Sequence, residues 1–471
     1  MSRMKASRGV LLVALALLGA AALRDVARLG DALPWRQLYD FAEFYCAGAA
    51  LDAGADPYRY EPLHRCEHAV DTGSIYRNDP VRVTPAPLPP YDFPPFMLAA
   101  RLSYGTARQF DAVAIVAAVI AAIAAMGALV PLEATALAML LPAGYVLLNA
   151  GQVVPFALAA LVFCGLALAR GRDAFAGVLG ALVTIEPHLG LPVCIALLLW
   201  LPRSRAPLVA TAIVLLAIGA STVGIVTTLE YISRVLPAQA AAEIAHPYQY
   251  SLTYLLSTLR VPASAALFVG DASYAAMLVT GVWLGRRLRE RLARPEMVVF
   301  VPAAFSVVGG PYVHMVDLPF AIPAALVFAC TLRGNARQIA AVALCLLAVP
   351  WILVWITKKL FLAALFVVAA LLLRLRTSAF VSFATFGGVC AAIYLLELAP
   401  PAPLTARTPG TFTATDLAGT AWIAYVKELP QASLTWLAVK VPTWAALATL
   451  VAVCFAAARE PGISVKPDVS R

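Results

Sequence analysis

Charge is what this sequence has least of. Only 13% of its 471 residues are Asp, Glu, Lys or Arg, while 62% are hydrophobic. A water-soluble domain carries roughly 25% charged residues. With a mean hydropathy of +0.83, the chain has more apolar surface than one or two soluble cores can hide, so its solvent is largely lipid. Alternating apolar segments of strand length are missing too. The apolar runs are continuous and rich in Ala and Leu, which excludes an outer-membrane barrel and leaves helix as the spanning element.

Other absences narrow the chemistry. There is no P-loop, so direct use of ATP is not expected, and neither a GxSxG elbow nor an HExxH helix occurs. No DxD pair is present, which argues against a nucleotide-sugar donor held through a metal. No pair of cysteines has zinc-ligand spacing, and the sequence calls for neither a metal nor a cofactor. No small-residue cleavage site follows the first apolar run, 10–23. Leu23 leads straight into Arg24 and Asp25, which favours an uncleaved first span over a signal peptide. No repeat suggests the pseudo-symmetry common in transporters. An enzyme of this build takes a substrate that already lives in the membrane.

What is present reads as an all-α polytopic membrane protein, one membrane domain over 1–471, with about 12–14 spans of ~20 residues. The net charge of +9 sits in short clusters between apolar runs: Arg3, Lys5 and Arg8; Arg170 and Arg172; Arg203 and Arg205; Arg286, Arg287, Arg289, Arg291 and Arg294; Arg333 and Arg337; Arg374 and Arg376. This is the pattern of cytoplasmic loops under the positive-inside bias, not a nucleic-acid surface. It places both termini in the cytoplasm and residues 24–92 outside it, together with 229–262, 309–316 and 399–437. The first of these loops is too long and too polar to be idle. Within it, 40–53 reads as an amphipathic helix lying on or in the membrane surface, and 79–95, with its seven prolines, as a stiff irregular connector. Phe93 to Tyr104 is short enough to be interfacial. The run 174–201 is broken at Glu186-Pro187-His188 and divides into two half-spans. Cys46 and Cys66 both lie in the first loop and can pair if it faces an oxidising compartment.

Several residues can carry chemistry, each with a plainer alternative. Asp40, between Tyr39 and Phe41, is a candidate general base whose basicity rises on desolvation, or else a helix N-cap. Glu186 lies within an apolar stretch, where a charged carboxylate costs about 2.5–3.5 kcal/mol. Such groups are functional candidates by default, unless the proline break lets Glu186 and His188 pair or reach a headgroup. His314, near Asp317 in a Gly/Pro turn, can donate to a phosphate if protonated near neutral pH, or is simply solvated. Asn149 and Gln152 suit hydroxyl recognition or helix-end capping.

At these residues the chain resembles glycosyltransferase family 87, bacterial transferases that use polyprenyl-phosphate sugars and have a GT-C membrane fold. The matching pieces are Tyr39-Asp40-Phe41 with Tyr45, Asp56-Pro57-Tyr58, Phe93-Pro94-Pro95-Phe96, Asn149 to Gln152, the Glu186-Pro187 break and His314, in the expected order. The resemblance implies a GT-C-like fold in the bacterial cytoplasmic (inner) membrane with an extracytoplasmic active site. It implies an inverting transfer of mannose or arabinofuranose from the lipid donor to a glycolipid or glycan acceptor. It also implies Asp40 as general base, His314 near the donor phosphate or acceptor, and Gln152 near the site. Where relatives often have Lys before the proline this chain has Glu186, so another cation is expected to hold the phosphate, with Arg59, Arg260 and Lys358 as candidates. Two rival readings stand beside this one. They are a transporter or flippase of a lipid-linked saccharide, and a structural membrane protein in which Asp40 is only a cap.

Overall fold

The computed structural model describes residues 2–30, 33–70, 76, 78–401, 404–430 and 433–459. The side chains of Arg3, Lys5 and Arg8, and residues 460–471, on which part of the orientation argument rests, lie outside what is described. Among the described residues the regular structure is helical throughout. β-structure is limited to two single bridges, Arg59 with Leu417 and Gln249 with His314.

Among the described residues, six helices are long and apolar enough to cross a membrane, and a seventh span is gained if Gly334–Leu347 and Trp351–Thr357, bent by 41°, are one. The remaining apolar runs form shorter helices, among them Val154–Ala169, Pro187–Trp200, Met297–Ser306 and Phe361–Arg374. Proline and local repacking are the reason. Glu186 adopts extended backbone before Pro187, ending one half-span and starting the next. Around Pro142 the helix loosens into a π-helical stretch, Leu140–Leu147. Met297–Ser306 is only about 15 Å long at 1.5 Å per residue, and every residue in it is buried. Such half-spans persist in a membrane because protein, not lipid, surrounds them. The long helices Pro202–Val223 and Ala379–Glu397 do the opposite. They expose apolar side chains such as Ile213, Val214, Phe380 and Phe383, as a lipid-facing surface requires. The chain is thus an all-α, multi-pass membrane protein, consistent in general shape with a GT-C-like fold.

The first loop is built differently from the amphipathic surface helix that its sequence suggests. Phe41–Asp52 forms a helix, but it is buried nearly all round, Glu43 included. It packs against Phe93–Ala100 and Tyr60–Val70. Gly48 makes this possible, because a Cβ there would collide with the Phe96 backbone. Tyr60–Val70 is the helix with one buried face, through Tyr60, Leu63 and Glu67. Cys46 and Cys66 are disulfide-bonded, closing a separation of 20 residues between the two helices. Replacing either cysteine by serine is expected to cost about 2–5 kcal/mol and lower the thermal midpoint. Two thiols titrating in protein isolated without reductant would overturn the pairing.

The polar loops fold onto one another. Thr408 donates its backbone N–H and its hydroxyl to Asp79 Oδ2 at 2.8 and 2.6 Å, tying the proline-rich connector to the 399–437 segment. Tyr58 and Tyr60 donate to Leu88 and Val81 carbonyls at 2.7 and 3.0 Å, fixing the same connector from the other side. Trp444 Nε1 reaches the Tyr250 carbonyl at 3.0 Å. Main-chain bonds from Tyr250 to Val313 (2.7 Å) and from Met315 to Tyr248 (3.1 Å) bind the 229–262 loop to the 309–316 turn.

Candidate active site

Asp40 is placed by its backbone. Its N–H donates to the Ala150 carbonyl at 2.8 Å, and that of Tyr39 to Asn149 at 3.2 Å, so the start of the first loop lies along the Asn149–Gln152 segment. Two left-handed residues make the fit. Leu38 has φ 42 and Gly151 has φ 74, and a Cβ on Gly151 would lie 2.9 Å from that of Leu38. Gly151→Ala should therefore destabilise the protein by about 1–3 kcal/mol and displace Asp40. A thermal melt that matches wild type would mean the contact relaxes freely.

Although Asp40 stands immediately before a helix, its side chain makes no cap hydrogen bond. Its Oδ2 instead accepts from Gln152 Nε2 at 2.6 Å. Burial raises the carboxyl pKa to about 6, with Gln152 and Arg82 opposing and the charge of Glu243 adding. Glu43, one turn on, is raised well above the carboxylate range by burial and by Asp40, Glu67 and Glu243.

Beside Asp40 stands a cluster drawn from two loops. Glu243 and His246 come from the 229–262 loop and His314 from the 309–316 turn, their ligand-type atoms all within 4.8 Å of one another. Glu243 Oε1 accepts from Trp422 Nε1 at 2.5 Å, and Oε2 from Gln249 Nε2 at 3.2 Å. The His314 ring lies 5.8 Å from that of His246 and 5.9 Å from that of Tyr248. Burial, with His246 adding, pushes His314 down to about 4. Burial with Lys440 and Arg82 pushes His246 to about 3. The packing of these loops thus disfavours the charged form of both imidazoles.

Glu186 and His188 join this cluster through Asp317. His188 Nε2 lies 3.4 Å from Asp317 Oδ2, which also accepts from the His314 backbone N–H at 2.7 Å. His188 Nδ1 is 3.8 Å from Glu186 Oε2. The proline break thus ends beside the His314 turn.

Not all expected site residues gather here. Tyr45 donates to the Leu102 carbonyl at 2.9 Å and packs on Tyr104, a structural anchor. Arg59 is bonded to Asp56 (2.8 Å) and Glu230 (2.7 Å). Lys358 pairs with Glu397 at 3.3 Å, and Arg260 is exposed at a helix end. Among the described residues, the basic side chains whose charge acts on the cluster are Arg82 and Lys440, neither foreseen. Arg82 lies 4.0 Å from the Tyr425 ring centroid and 5.5 Å from that of Trp422, its Nε without a hydrogen-bond partner among the described residues. Lys440 is buried, 3.2 Å from the Tyr254 ring centroid.

Compared with models of known protein families, with curated proteins and with solved structures, the chain matches none. A partly buried carboxylate of raised basicity, a carboxylate–imidazole cluster and an underused guanidinium together can take a proton, orient polar groups and hold an anion. Glu243 had a readable signal, three residues before His246 on a helical turn. Arg82 had none, being one basic residue in an irregular connector.

Proposed function

We propose that this protein is a membrane glycosyltransferase that moves a sugar from a polyprenyl-phosphate donor to an extracytoplasmic glycolipid or glycan acceptor, with Asp40 as general base. The observation that carries this reading is the state of Asp40. It is not consumed in capping, it is held by the Gln152 amide at 2.6 Å, and burial raises its basicity toward neutrality. The resemblance of the ordered motifs supplies the substrate class. The Cys46–Cys66 bridge supports an extracytoplasmic, oxidising location for this loop.

In the reaction, Asp40 removes the proton of the acceptor hydroxyl as its oxygen bonds to the anomeric carbon. The bond from that carbon to the phosphate oxygen breaks on the opposite face, with inversion, and polyprenyl phosphate leaves as a stabilised anion. Alignment and charge stabilisation then carry the remaining work. Arg82 is suited to the departing phosphate, and His314, through a ring N–H, to the acceptor or phosphate.

The experiment is transfer by the purified protein in liposomes, given radiolabelled polyprenyl-phosphate mannose or arabinofuranose and candidate acceptors. Label appearing in an acceptor with inverted configuration supports the proposal. Label that crosses the bilayer still attached to its lipid would identify a flippase and refute it.

A further inference from the structure

We propose that Glu243, His246 and His314 form a binding site for one divalent transition-metal ion of the zinc, manganese, iron or cobalt class. The site does not depend on glycosyl transfer, because the cluster alone forms it. The ligand atoms of the three residues lie within 4.8 Å of one another. The closest measured pair, Glu243 Oε2 and His246 Nδ1, is 3.5 Å apart. Two ligands of one tetrahedral zinc, each about 2.0 Å from the ion, stand about 3.3 Å from each other. The pair is already at that spacing, and His314 offers its ring nitrogen within 4.8 Å of both.

The pairing of atoms also asks for a cation. The Tyr248 backbone N–H points at His246 Nδ1 from 3.4 Å. That nitrogen therefore presents a lone pair, and the atom it faces is a carboxylate oxygen. Two acceptors held face to face repel unless a proton or a metal lies between them. The surroundings favour the metal. Acidic side chains stand round the cluster, Asp40 acting on Glu243 and Asp317 on His314, and a bound cation is favoured by such neighbours.

The ligands are also held as metal ligands are. Glu243 is bound by Trp422 Nε1 at 2.5 Å and Gln249 Nε2 at 3.2 Å. Gln249 is fully buried, and its Oε1 accepts from the Val313 N–H at 3.0 Å, which locks the loop of two ligands to the turn of the third. Outer partners of this kind set the orientation of ligating groups. Imidazole with carboxylate suits this class of ions, and three protein ligands leave a position open for water or an anion.

The test uses the full chain in detergent, purified without chelator. Its metal content is measured, the protein is stripped with EDTA, and the stripped protein is titrated with Co²⁺ while the visible spectrum is recorded. Wild type should retain about one equivalent of metal and develop cobalt ligand-field bands on titration. Glu243→Gln, His246→Ala and His314→Ala should each lose the bands, and Trp422→Phe should weaken Co²⁺ binding by about 10–100-fold. Wild type that keeps no metal and shows no bands would overturn the site without reference to any variant. Bands that persist unchanged in all three ligand variants would place the ion elsewhere and overturn it equally.

Discussion

Asp40→Asn is expected to slow sugar transfer by about two to four orders of magnitude while the protein stays folded. The asparagine carbonyl still accepts the Gln152 amide that now reaches Oδ2 at 2.6 Å, so the side chain keeps its place and loses only its ability to take a proton. The capping alternative makes a different prediction. Asparagine caps as well as aspartate, so a residue that merely caps would tolerate the change. Since Asp40 makes no cap hydrogen bond, Asp40→Ala should likewise spare stability, where loss of a true cap costs about 0.5–2 kcal/mol. Rates from label transfer, with a thermal melt of each variant, separate the two. Unchanged transfer by Asp40→Asn would end the assignment.

Arg82→Ala carries the second large effect, a loss of about 10²–10³ in turnover together with weaker donor binding. The guanidinium faces the Tyr425 and Trp422 rings, and its charge acts on Asp40 and Glu43. A phosphate arriving beside Asp40 would find its counter-charge there. Arg82→Lys should recover part of the rate, because it keeps the charge and loses the planar fork. Arg59→Ala serves as the contrast. That residue is committed to Asp56 and Glu230, so its loss should lower stability and leave the turnover of the folded fraction near wild type. If Arg59→Ala abolishes turnover and Arg82→Ala spares it, the phosphate lies elsewhere.

Membrane residence and helical class were legible because they depend on totals, and lipid sets a strong constraint on any apolar run. The break at Glu186-Pro187 was legible for a local reason, proline's effect on the residue before it. Span number was harder to read, because hydropathy does not tell lipid from protein as the apolar surroundings. Met297–Ser306 and Ile322–Thr331 are as apolar as any span, yet they are short and enclosed by other helices. The same blindness hid the true environment of Phe41–Asp52, whose spacing suggested a surface helix although its small residues serve close packing on both sides.

The site was half legible. Asp40, Gln152 and His314 stood out as polar residues, each with a cap or a solvated turn as its plainer reading. Tyr45 and Arg59 stood out equally, and the fold uses them as a helix anchor and an ion-pair hub. What sequence lacks is the pairing of loops. The bonds between Tyr250 and Val313, and between Met315 and Tyr248, bring Glu243 to His314 across many residues of chain, and the connector carrying Arg82 is fixed by Asp79 and Thr408. No local pattern encodes such meetings.

In the proposed reaction Asp40 is the base of a glycosyl transfer from a lipid phosphate. The most direct test is the single-turnover rate of transfer against pH, for wild type and Asp40→Asn at saturating donor. A base must be unprotonated to act, and burial holds Asp40 near 6. The wild-type rate should therefore fall as pH drops through about 6, while the variant should be slow and flat across the same range. An Asp40→Asn rate that equals wild type, or that falls off at the same pH, would contradict the account.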